Sequence, residues 1–325
     1  MKLNAQIERW PVAGAFTISR GAKTHVDVVV AEIVDGDHVG RGEGTAIYYH
    51  GESAESVLAQ ILAERGAIAE GLNRRELLTR MPRGAARNAL DCALWDLEAK
   101  KSGVPVWKLA GLAEPRTLVT AFTISLAAPE RMEADAHAAA HLPLLKLKLA
   151  GEGDEERVAA VRRGAPHARL IVDANEAWTG RDIAAEAARL APYGVELIEQ
   201  PVKAGQDALL DGVVSPIPFA ADESCQDRTD LARCVRRYQA INVKLDKAGG
   251  LTEALALVAE AKVLGLDVMV GCMLATSLGI APAFLVGGEA RWVDLDGALL
   301  LAEDRPSPMR VDQGVLEPPG PELWG

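Results

Sequence analysis

The segments LIVDAN at residues 170–175, VELIEQP at 195–201 and PFAADES at 218–224 repeat one arrangement. In each segment a short apolar run ends at an acid, which is Asp173, Glu199 or Asp222. The three acids are 26 and 23 residues apart, which is about the length of one strand-plus-helix unit. We therefore predict three successive parallel strands, each with a carboxylate at its C-terminal end, where α/β folds bind ligands.

Those three carboxylates are candidate metal ligands. A single acid at a strand end is more often a helix N-cap, but three acids at the same place in successive units favour a metal site. Hard oxygen ligands that converge on one point suit Mg²⁺. We predict one Mg²⁺ per site, held by Asp173, Glu199 and Asp222, with Mn²⁺ able to substitute.

Composition and charge argue against several classes of function. The formal net charge of −11, the pI near 5.2 and the lack of a basic block argue against a nucleic-acid surface. No apolar run reaches the roughly 18 residues that a membrane helix needs, and residues 1–5 lack the layout of a signal peptide. The four cysteines lack zinc spacing and read as ordinary thiols. We expect a cytoplasmic protein without nucleic-acid or membrane partners, and we leave a homo-oligomer open.

The first 115 residues do not alternate between strand and helix. Strand patterns at 26–32 and 39–43 flank an Asp-Gly-Asp hairpin signal at 35–37, and helical patterns follow at 54–70 and 83–101. This order predicts an α+β domain over residues 1–115.

From residue 116 to residue 302 the pattern alternates. Helical patterns, for example at 155–163, 181–190 and 252–264, separate eight strand-like runs, which lie at 118–125, 144–149, 169–175, 195–200, 218–224, 240–246, 267–272 and 291–296. Eight strands with seven helices between them predict an α/β fold, a modified (β/α)₇β barrel. The tail at 303–325 is rich in proline and glycine, and we expect it to return to the N-terminal domain.

Two lysines are placed to flank the metal. Strand two ends in Lys146-Leu147-Lys148, and the period of two directs both lysines to the same, inward side. Strand six ends in the segment NVKLD at 242–246, so Lys244 and Asp246 share one parity. In a closed barrel of eight strands, strands two and six lie opposite each other. An ion pair with a neighbouring acid is the alternative role for either lysine.

This arrangement suits inversion at carbon. A cation that holds a carboxylate stabilises the enediolate formed when the adjacent α-proton leaves. A base on one face removes the proton and an acid on the other face returns one, so Lys148 and Lys244 are the candidate catalytic residues. We expect the cation, and for Lys148 the charge of Lys146, to lower the pKa of these lysines.

Strand eight ends in Asp294-Leu295-Asp296, and the shared parity directs both acids inward, opposite strand four. Paired acids at that distance from the metal would receive a cation, and an ammonium group fits best. A carboxylate at one end and an ammonium at the other describe a dipeptide. The alternative is a simple Asp-Gly turn.

These residues resemble the enolase superfamily, muconate-lactonizing subgroup, and within it the dipeptide epimerases. The resemblance covers essentially the whole chain and rests on ALDCALWDL at 89–97, the lysines and acids above, KLDKAGG at 244–250, and GCM at 271–273 with DLD at 294–296. It implies a capping domain joined by the C-terminal tail, a Mg²⁺ cofactor, and epimerisation of the second residue of L-Ala-D/L-Glu-type dipeptides, as in cell-wall peptide metabolism.

The resemblance also implies substrate-binding residues. Asp294 and Asp296 would hold the substrate ammonium, and Lys146 is a further substrate-binding candidate. Arg20, in the loop at 17–23, matches an arginine that binds the glutamate side chain, although it could equally be a solvated charge. Asn175 and Asp246 are supporting candidates.

Several related functions share this chemistry. A cycloisomerase or o-succinylbenzoate synthase would use the same lysines and metal but has no ammonium to bind. An N-acylamino-acid racemase also lacks a free ammonium. A sugar-acid dehydratase often carries a histidine where Lys244 stands. A non-catalytic binding protein that kept the fold would usually have lost a metal acid or a lysine, and none is missing here.

Overall fold

The N-terminal part of the chain is a three-stranded antiparallel sheet covered by helices. The computed structural model describes residues 1–18 and 21–325, without the side chains of Ala15 and Ile18. The sheet has the order β1-β2-β3. Its strands are β1 (Lys2–Ile18), β2 (Gly21–Asp35) and β3 (His38–Thr45), and its helices are α1 (Ala54–Ala63), α2 (Arg65–Ala69), α3 (Arg74–Arg80), α4 (Ala85–Ser102) and α5 (Val106–Leu109). The helix predicted over 54–70 is broken at Glu64.

Helix α4 lies directly on strand β3 because that strand carries glycine at every second position. A Cβ atom built on Gly40, Gly42 or Gly44 would come within 2.2, 2.1 or 2.3 Å of a carbonyl oxygen of α4. Only a strand face without side chains allows the helix backbone to come this close to the strand. Most residues of α4 are buried, on both sides of the helix. One side of the ALDCALWDL motif therefore packs in the core of this domain, and Cys92 and Trp95 on its other side pack in the core of the barrel part.

The second part of the chain is a parallel barrel. After the short strand β4 (Leu118–Val119), eight strands follow in sequential order. They are β5 (Phe122–Ile124), β6 (Leu144–Lys148), β7 (Arg169–Asp173), β8 (Val195–Glu199), β9 (Phe219–Ala221), β10 (Ala240–Val243), β11 (Asp267–Gly271) and β12 (Trp292–Asp294). The Ala121 amide donates to the Val293 carbonyl at 2.8 Å, which joins the first barrel strand to the last.

Helices surround this barrel. They are α6 (Pro129–Ala138), α7 (Asp154–Gly164), α8 (Ile183–Leu190), α9 (Leu231–Cys234), α10 (Leu245–Ala248), α11 (Leu251–Val263) and α12 (Ser277–Gly287). The predicted barrel with its α+β capping domain is confirmed. Each of the eight barrel strands is shorter than predicted. The predicted strand 118–125 is divided because β4 leaves the barrel to pair with the tail, and 240–246 ends at Val243 because α10 begins at Leu245.

The C-terminal tail contacts both parts of the molecule. Strands β13 (Val311–Asp312) and β14 (Val315–Leu316) pair with each other, and β14 pairs with β4. The last residues reach helix α4: Trp324 Nε1 donates to the Cys92 carbonyl at 3.0 Å, and the Gly325 amide donates to Asp96 Oδ1 at 2.8 Å. No helix within the described ranges is both long and apolar enough to cross a membrane.

Candidate active site

The barrel interior is built in layers, and this layering places the polar residues. One residue from each strand forms an apolar layer, which consists of Ala121, Leu144, Ile171, Leu197, Ala220, Ala240, Met269 and Trp292. Because side chains on one face recur every second residue, the residues two positions later lie in the next layer toward the C-terminal ends. That next layer contains Lys146, Asp173, Glu199, Asp222 and Asp294. Lys148 and Lys244 follow four positions after the apolar layer.

A cavity of about 250 Å³ lies at this end of the barrel, beneath the capping domain. Its barrel side includes Lys148, Asp173, Asp222 and Lys244. Its capping side includes Phe16, Lys23, Thr45, Tyr48 and Tyr49. The cavity therefore brings candidate residues of the barrel together with residues of the capping domain that the sequence patterns did not single out.

Asp173 is the acid on the Lys148 side. Lys148 Nζ lies 2.7 Å from Asp173 Oδ2, and both side chains are buried. Asn175 holds the same carboxylate, because its backbone amide donates to Oδ1 at 2.8 Å and its side-chain amide donates to Oδ2 at 3.0 Å. Asn175 has a left-handed backbone with φ of 44°, which asparagine tolerates better than most residues. The supporting candidate Asn175 thus directly contacts Asp173.

Asp222 is the acid on the Lys244 side. Lys244 Nζ lies 2.7 Å from Asp222 Oδ2, and Lys247 Nζ lies 2.6 Å from Asp222 Oδ1. Lys247 is fully buried and also donates to three backbone carbonyls, those of Asp222, Cys225 and Asn242. Lys247 has no assigned role from the sequence, and its place in the KLDKAGG motif is the one sequence signal that points to it.

Glu199 lies between these two acids and is reached by Lys146. Lys146 Nζ is 2.5 Å from Glu199 Oε2 and 2.6 Å from Asp294 Oδ2, so it bridges strands β8 and β12 across the barrel. Asn242 donates to Glu199 Oε1 at 2.6 Å. Gly271 leaves the space for this contact, because a Cβ atom there would come within 2.6 Å of Asn242 Oδ1.

The lysine contacts determine the direction of the pKa shifts. Burial lowers the pKa of Lys244, but the carboxylates of Asp222 and Glu199 outweigh burial and hold that pKa well above its usual range. Burial raises the pKa of Asp222, but Lys244 and Lys247 outweigh it and hold the pKa well below the usual range. The lowered lysine pKa expected from the sequence presupposes a cation. Without one, the carboxylates keep Lys244 protonated.

The oxygen atoms of this acidic cluster are chemically suitable ligands for Mg²⁺, although the carboxylates form ion pairs with lysines. Three carboxylates from neighbouring strand ends surround one region, and beside them Asn175 Oδ1 is buried without a hydrogen-bond partner within the described chain. These are hard oxygen ligands of the kind that Mg²⁺ prefers. Over residues 1–18 and 21–325, however, no three His, Cys, Asp or Glu side chains are arranged to hold a metal ion as they stand. The lysine ammonium groups supply the positive charge instead.

Asp294 and Asp296 differ in their surroundings. Asp294 is ion-paired with Lys146, whereas Asp296 Oδ2 accepts the backbone amide of Thr123 at 2.7 Å. Burial and the neighbouring charge of Asp294 raise the pKa of Asp296 to about 7. The charge of Asp296 therefore changes near neutral pH.

Asp246 lies at the interface between the two parts of the chain. The parity argument directed it into the barrel with Lys244, but the strand ends before Lys244 and Asp246 belongs to α10. Its Oδ1 accepts the Thr45 amide at 3.0 Å and the Asn88 side chain at 2.8 Å, both from the capping domain. Burial raises the pKa of Asp246 to about 7. Arg20, the remaining candidate, lies outside the described residues.

A barrel with acids at successive strand ends beneath an α+β capping domain defines the enolase class of fold. The chain belongs to the mandelate racemase and muconate-lactonizing family of the enolase superfamily. Residues 2–111 match the family described as mandelate racemase / muconate lactonizing enzyme, N-terminal domain, and residues 116–321 match the enolase C-terminal domain-like family. The family resemblance inferred from the motifs is confirmed.

Two relatives extend over nearly the whole chain. The L-Ala-D/L-Glu epimerase of Escherichia coli strain K12 is 43% identical over 311 residues, covering 95% of this chain and 97% of that protein. The N-acetyl-D-glutamate racemase of a Pseudoalteromonas species is 41% identical over 301 residues, covering 92% and 95%. Both relatives are isomerases, one an epimerase and the other a racemase.

Solved structures with bound dipeptides are also similar. An enolase family member from Agrobacterium tumefaciens, with bound sodium and L-Ala-L-Glu, has a TM-score of 0.97 and 51% identity over 99% of both chains. The dipeptide epimerase of Enterococcus faecalis V583, complexed with Mg and L-Leu-L-Tyr, has a TM-score of 0.90 and 30% identity over 98% of this chain and 96% of that one.

Proposed function

We propose that this chain is an isomerase that inverts the α-carbon of the second residue of L-Ala-D/L-Glu-type dipeptides with Mg²⁺. One observation carries the proposal. Lys148 and Lys244 come from barrel positions separated by three strands, and each ammonium lies 2.7 Å from a different acid of the same cluster. Two proton-carrying groups on opposite sides of one centre are what inversion at carbon requires.

Mg²⁺ would be held by Asp173, Glu199 and Asp222, and Mn²⁺ is expected to replace it. Bound there, the ion would supply positive charge that stabilises the negative charge developing on the substrate carboxylate. The chain's own residues then move the proton. Lys148 takes the α-proton from one face, Lys244 supplies a proton on the other, and the roles reverse for the opposite epimer. Asn175 keeps the Asp173 carboxylate in place.

The remaining contacts concern the substrate ends. We assign Lys146 to the substrate carboxylate and Asp294 and Asp296 to the ammonium of the first residue. Asp246 holds strand β3 against the barrel through Thr45 and helix α4 through Asn88. Arg20 remains a proposed contact of the glutamate side chain. We also propose that the chain consists of a capping domain at 1–115, joined by the tail at 303–325, and a barrel domain at 116–302. We propose a cytoplasmic location and no nucleic-acid or membrane partner, and we leave a homo-oligomer open.

A second candidate is an N-acylamino-acid racemase that accepts N-acetylglutamate. The ion pair between Asp294 and Lys146 favours it, because a carboxylate already neutralised by a lysine attracts a substrate ammonium less strongly. The N-acetyl-D-glutamate racemase among the relatives supports it as well. The two candidates share the lysines and the acids and differ only at the amino end of the substrate.

Substrate choice tests the two candidates directly. We expect the protein to exchange the α-proton of the Glu residue of L-Ala-L-Glu in D₂O. We expect Asp296→Asn to lower kcat/KM for this dipeptide by about ten- to a hundredfold, because a charged contact contributes roughly 1.5–3 kcal/mol. N-acetylating the dipeptide should have a similar effect, and the two changes together should be less than additive. Equal turnover of N-acetylglutamate and the free dipeptide would select the racemase.

The pKa of Asp296 predicts a pH dependence. The acid is protonated below its pKa of about 7 and ionised above it, and only the ionised form attracts an ammonium. We therefore expect kcat/KM for L-Ala-L-Glu to rise with pH, with the midpoint of the rise near pH 7. Asp296→Asn should remove this rise. Initial rates at low substrate concentration across pH 5–9 measure this. A limb of the same midpoint in the variant would assign it to another group.

A further inference from the structure

One face of helix α4 contacts the segment 244–252, which contains the KLDKAGG motif. The residues of this face recur at helical spacing, and they are Arg87, Asn88, Asp91 and Trp95. Each of their side chains makes a hydrogen bond to a residue between 246 and 252. The segment begins at Lys244, so the capping domain contacts the chain immediately after one of the two candidate bases.

Arg87 binds the C-terminal end of the short helix α10. It is buried, and its four hydrogen bonds to described residues all end on backbone carbonyls. Nη2 donates to the Ala248 carbonyl at 2.6 Å and Nε to the Gly249 carbonyl at 3.0 Å. Nη1 donates to the carbonyls of Leu78 and Met81 in the capping domain at 3.3 and 3.1 Å. The last carbonyls of a helix lack partners inside it, so Arg87 both satisfies them and ties them to the capping domain.

Asn88 and Asp91 hold the turns on either side of this point. The Asn88 side chain donates to Asp246 Oδ1 at 2.8 Å in the first turn of α10. Asp91 accepts the amide of Thr252 at 2.9 Å and its hydroxyl at 2.6 Å, and it thereby caps helix α11. The N-cap residue of α11 is Gly250, where a Cβ atom would come within 2.5 Å of Asp91 Oδ2. Helix α4 therefore fixes the whole segment rather than one atom of it.

Lys244 is joined directly to this segment. It is the N-cap residue of α10, and its carbonyl accepts the Ala248 amide at 3.0 Å. Ala248, which Arg87 holds through its carbonyl, thus closes the turn that starts at the base. A shift of α10 would move the Lys244 backbone and the ammonium that it carries. The position of this lysine consequently depends on the capping domain.

The other base is positioned by the barrel alone. Lys148 ends strand β6, and Asp154 holds the loop that follows, because it accepts the amides of Ala150 and Gly151, both at 2.9 Å. Asp154 also accepts Trp178 Nε1 at 2.9 Å. These residues all belong to the barrel part of the chain. The two bases therefore differ in which part of the molecule sets their place.

We propose that Arg87 is a positioning residue for Lys244, through which the capping domain controls one of the two bases and not the other. This rests on the proposed function, in which Lys244 serves one face of the α-carbon and Lys148 the other. Arg87 does not line the cavity that the described residues form, so it acts through α10 and not on the substrate. Loosening α10 should impair proton transfer on one face only, whereas a general loss of structure would impair both.

Exchange of the α-proton with D₂O, measured separately on L-Ala-L-Glu and L-Ala-D-Glu, tests the proposal. Lys244→Ala identifies the epimer that depends on Lys244 as the one whose exchange falls further. We expect Arg87→Met to lower exchange of that epimer about ten- to a hundredfold, because a misplacement of about 1 Å can have this effect, and to leave the other epimer within about threefold. Net inversion should fall in both directions, since each inversion needs both lysines.

Three further variants sharpen the comparison. Asp154→Asn should have the opposite effect and lower the exchange that depends on Lys148, because an amide offers one acceptor oxygen where the carboxylate offers two. Arg41→Met is the matched control, since the Arg41 side chain also donates to two backbone carbonyls, but those of Glu322 and Leu323 in the tail. It should leave the ratio of the two exchange rates unchanged. Arg87→Lys keeps the charge with fewer donors and should shift the ratio less, in the direction of Arg87→Met.

Thermal midpoints show which variants are folded, and Arg87→Lys decides the matter if Arg87→Met is not. Equal losses on both epimers, or no loss on either, would overturn the proposal. A shift in the same direction by Asp154→Asn and the Arg87 variant would overturn it as well.

The proposed function is read separately, from exchange of both epimers by the unmodified protein. If both exchange and the Arg87 variants leave their ratio unchanged, only the positioning proposal fails. If N-acetylglutamate exchanges and the dipeptides do not, its two enantiomers replace the two epimers in the same comparison. If neither class exchanges, both proposals fail.

Discussion

Replacing Lys148 or Lys244 by alanine should stop epimerisation of L-Ala-L-Glu, with kcat falling by at least about 10²–10⁴-fold, the usual contribution of a positioned acid or base. Each variant keeps one lysine, which can reach only one face of the substrate α-carbon. We expect one variant to exchange the α-proton of the L,L-dipeptide with D₂O and the other that of the L,D-dipeptide, without net inversion in either. Proton NMR in D₂O measures loss of the α-proton, and a chiral separation measures inversion.

A surface lysine provides the control for this experiment. Lys262 forms an ion pair with Glu289 on the outside of the barrel, so Lys262→Ala should leave both epimers exchanging at the normal rate. The assignment of two opposed bases is contradicted if Lys148→Ala exchanges both epimers normally. Loss of exchange for both epimers in both variants would instead mean that neither lysine can act without the other.

Removing one of the barrel carboxylates should be equally severe. Asp173→Asn or Glu199→Gln takes a charged oxygen from the cluster that would hold Mg²⁺, and we expect turnover to fall by about 10³-fold or more while the fold is retained, because the ion supplies several kcal/mol of charge stabilisation. Chelation should abolish activity, and Mg²⁺ or Mn²⁺ should restore it. Mn²⁺ binding can be followed by electron paramagnetic resonance independently of turnover.

The matched control here is Asp211→Asn, whose carboxylate forms an exposed ion pair with Arg237. This variant should bind Mn²⁺ and turn over substrate like the unmodified protein. Full activity after exhaustive chelation would remove the metal from the mechanism. The ion pairs of Lys146, Lys148, Lys244 and Lys247 would then balance the charge of the cluster in its active form.

The period of two explains why so much of the cluster could be predicted from the sequence. Ile171, Leu197 and Ala220 lie in one apolar layer, and the acids that follow them by two residues must face the same interior. The spacing of repeated strand-plus-helix units then places these acids at one end of the barrel. The same argument predicted that Lys146 and Lys148 face inward, and both contact the acids of the cluster.

Features that depend on tertiary contacts could not be predicted from the alternation of residues along a strand. Strand β1 was not predicted, because Pro11 and a register shift between Pro11 and Phe16 break its alternation. Asp246 shares the parity of Lys244, yet the chain enters a helix there and turns it toward the capping domain. Lys247 and Tyr49 carry no local pattern. Lys247 is placed by its contacts with Asp222, Cys225 and Asn242 inside the barrel, and Tyr49 by the way the two parts of the chain meet at the cavity.

The contacts between the tail and helix α4 also constrain the order in which the molecule can be completed. The Arg41 side chain donates to the carbonyl of Glu322 at 2.8 Å, and Trp324, almost fully buried, covers Cys92. During synthesis on a ribosome, α4 therefore emerges more than 200 residues before the tail segment that contacts it. The final packing of the capping domain therefore waits for residues 322–324, which follow the whole barrel in the chain.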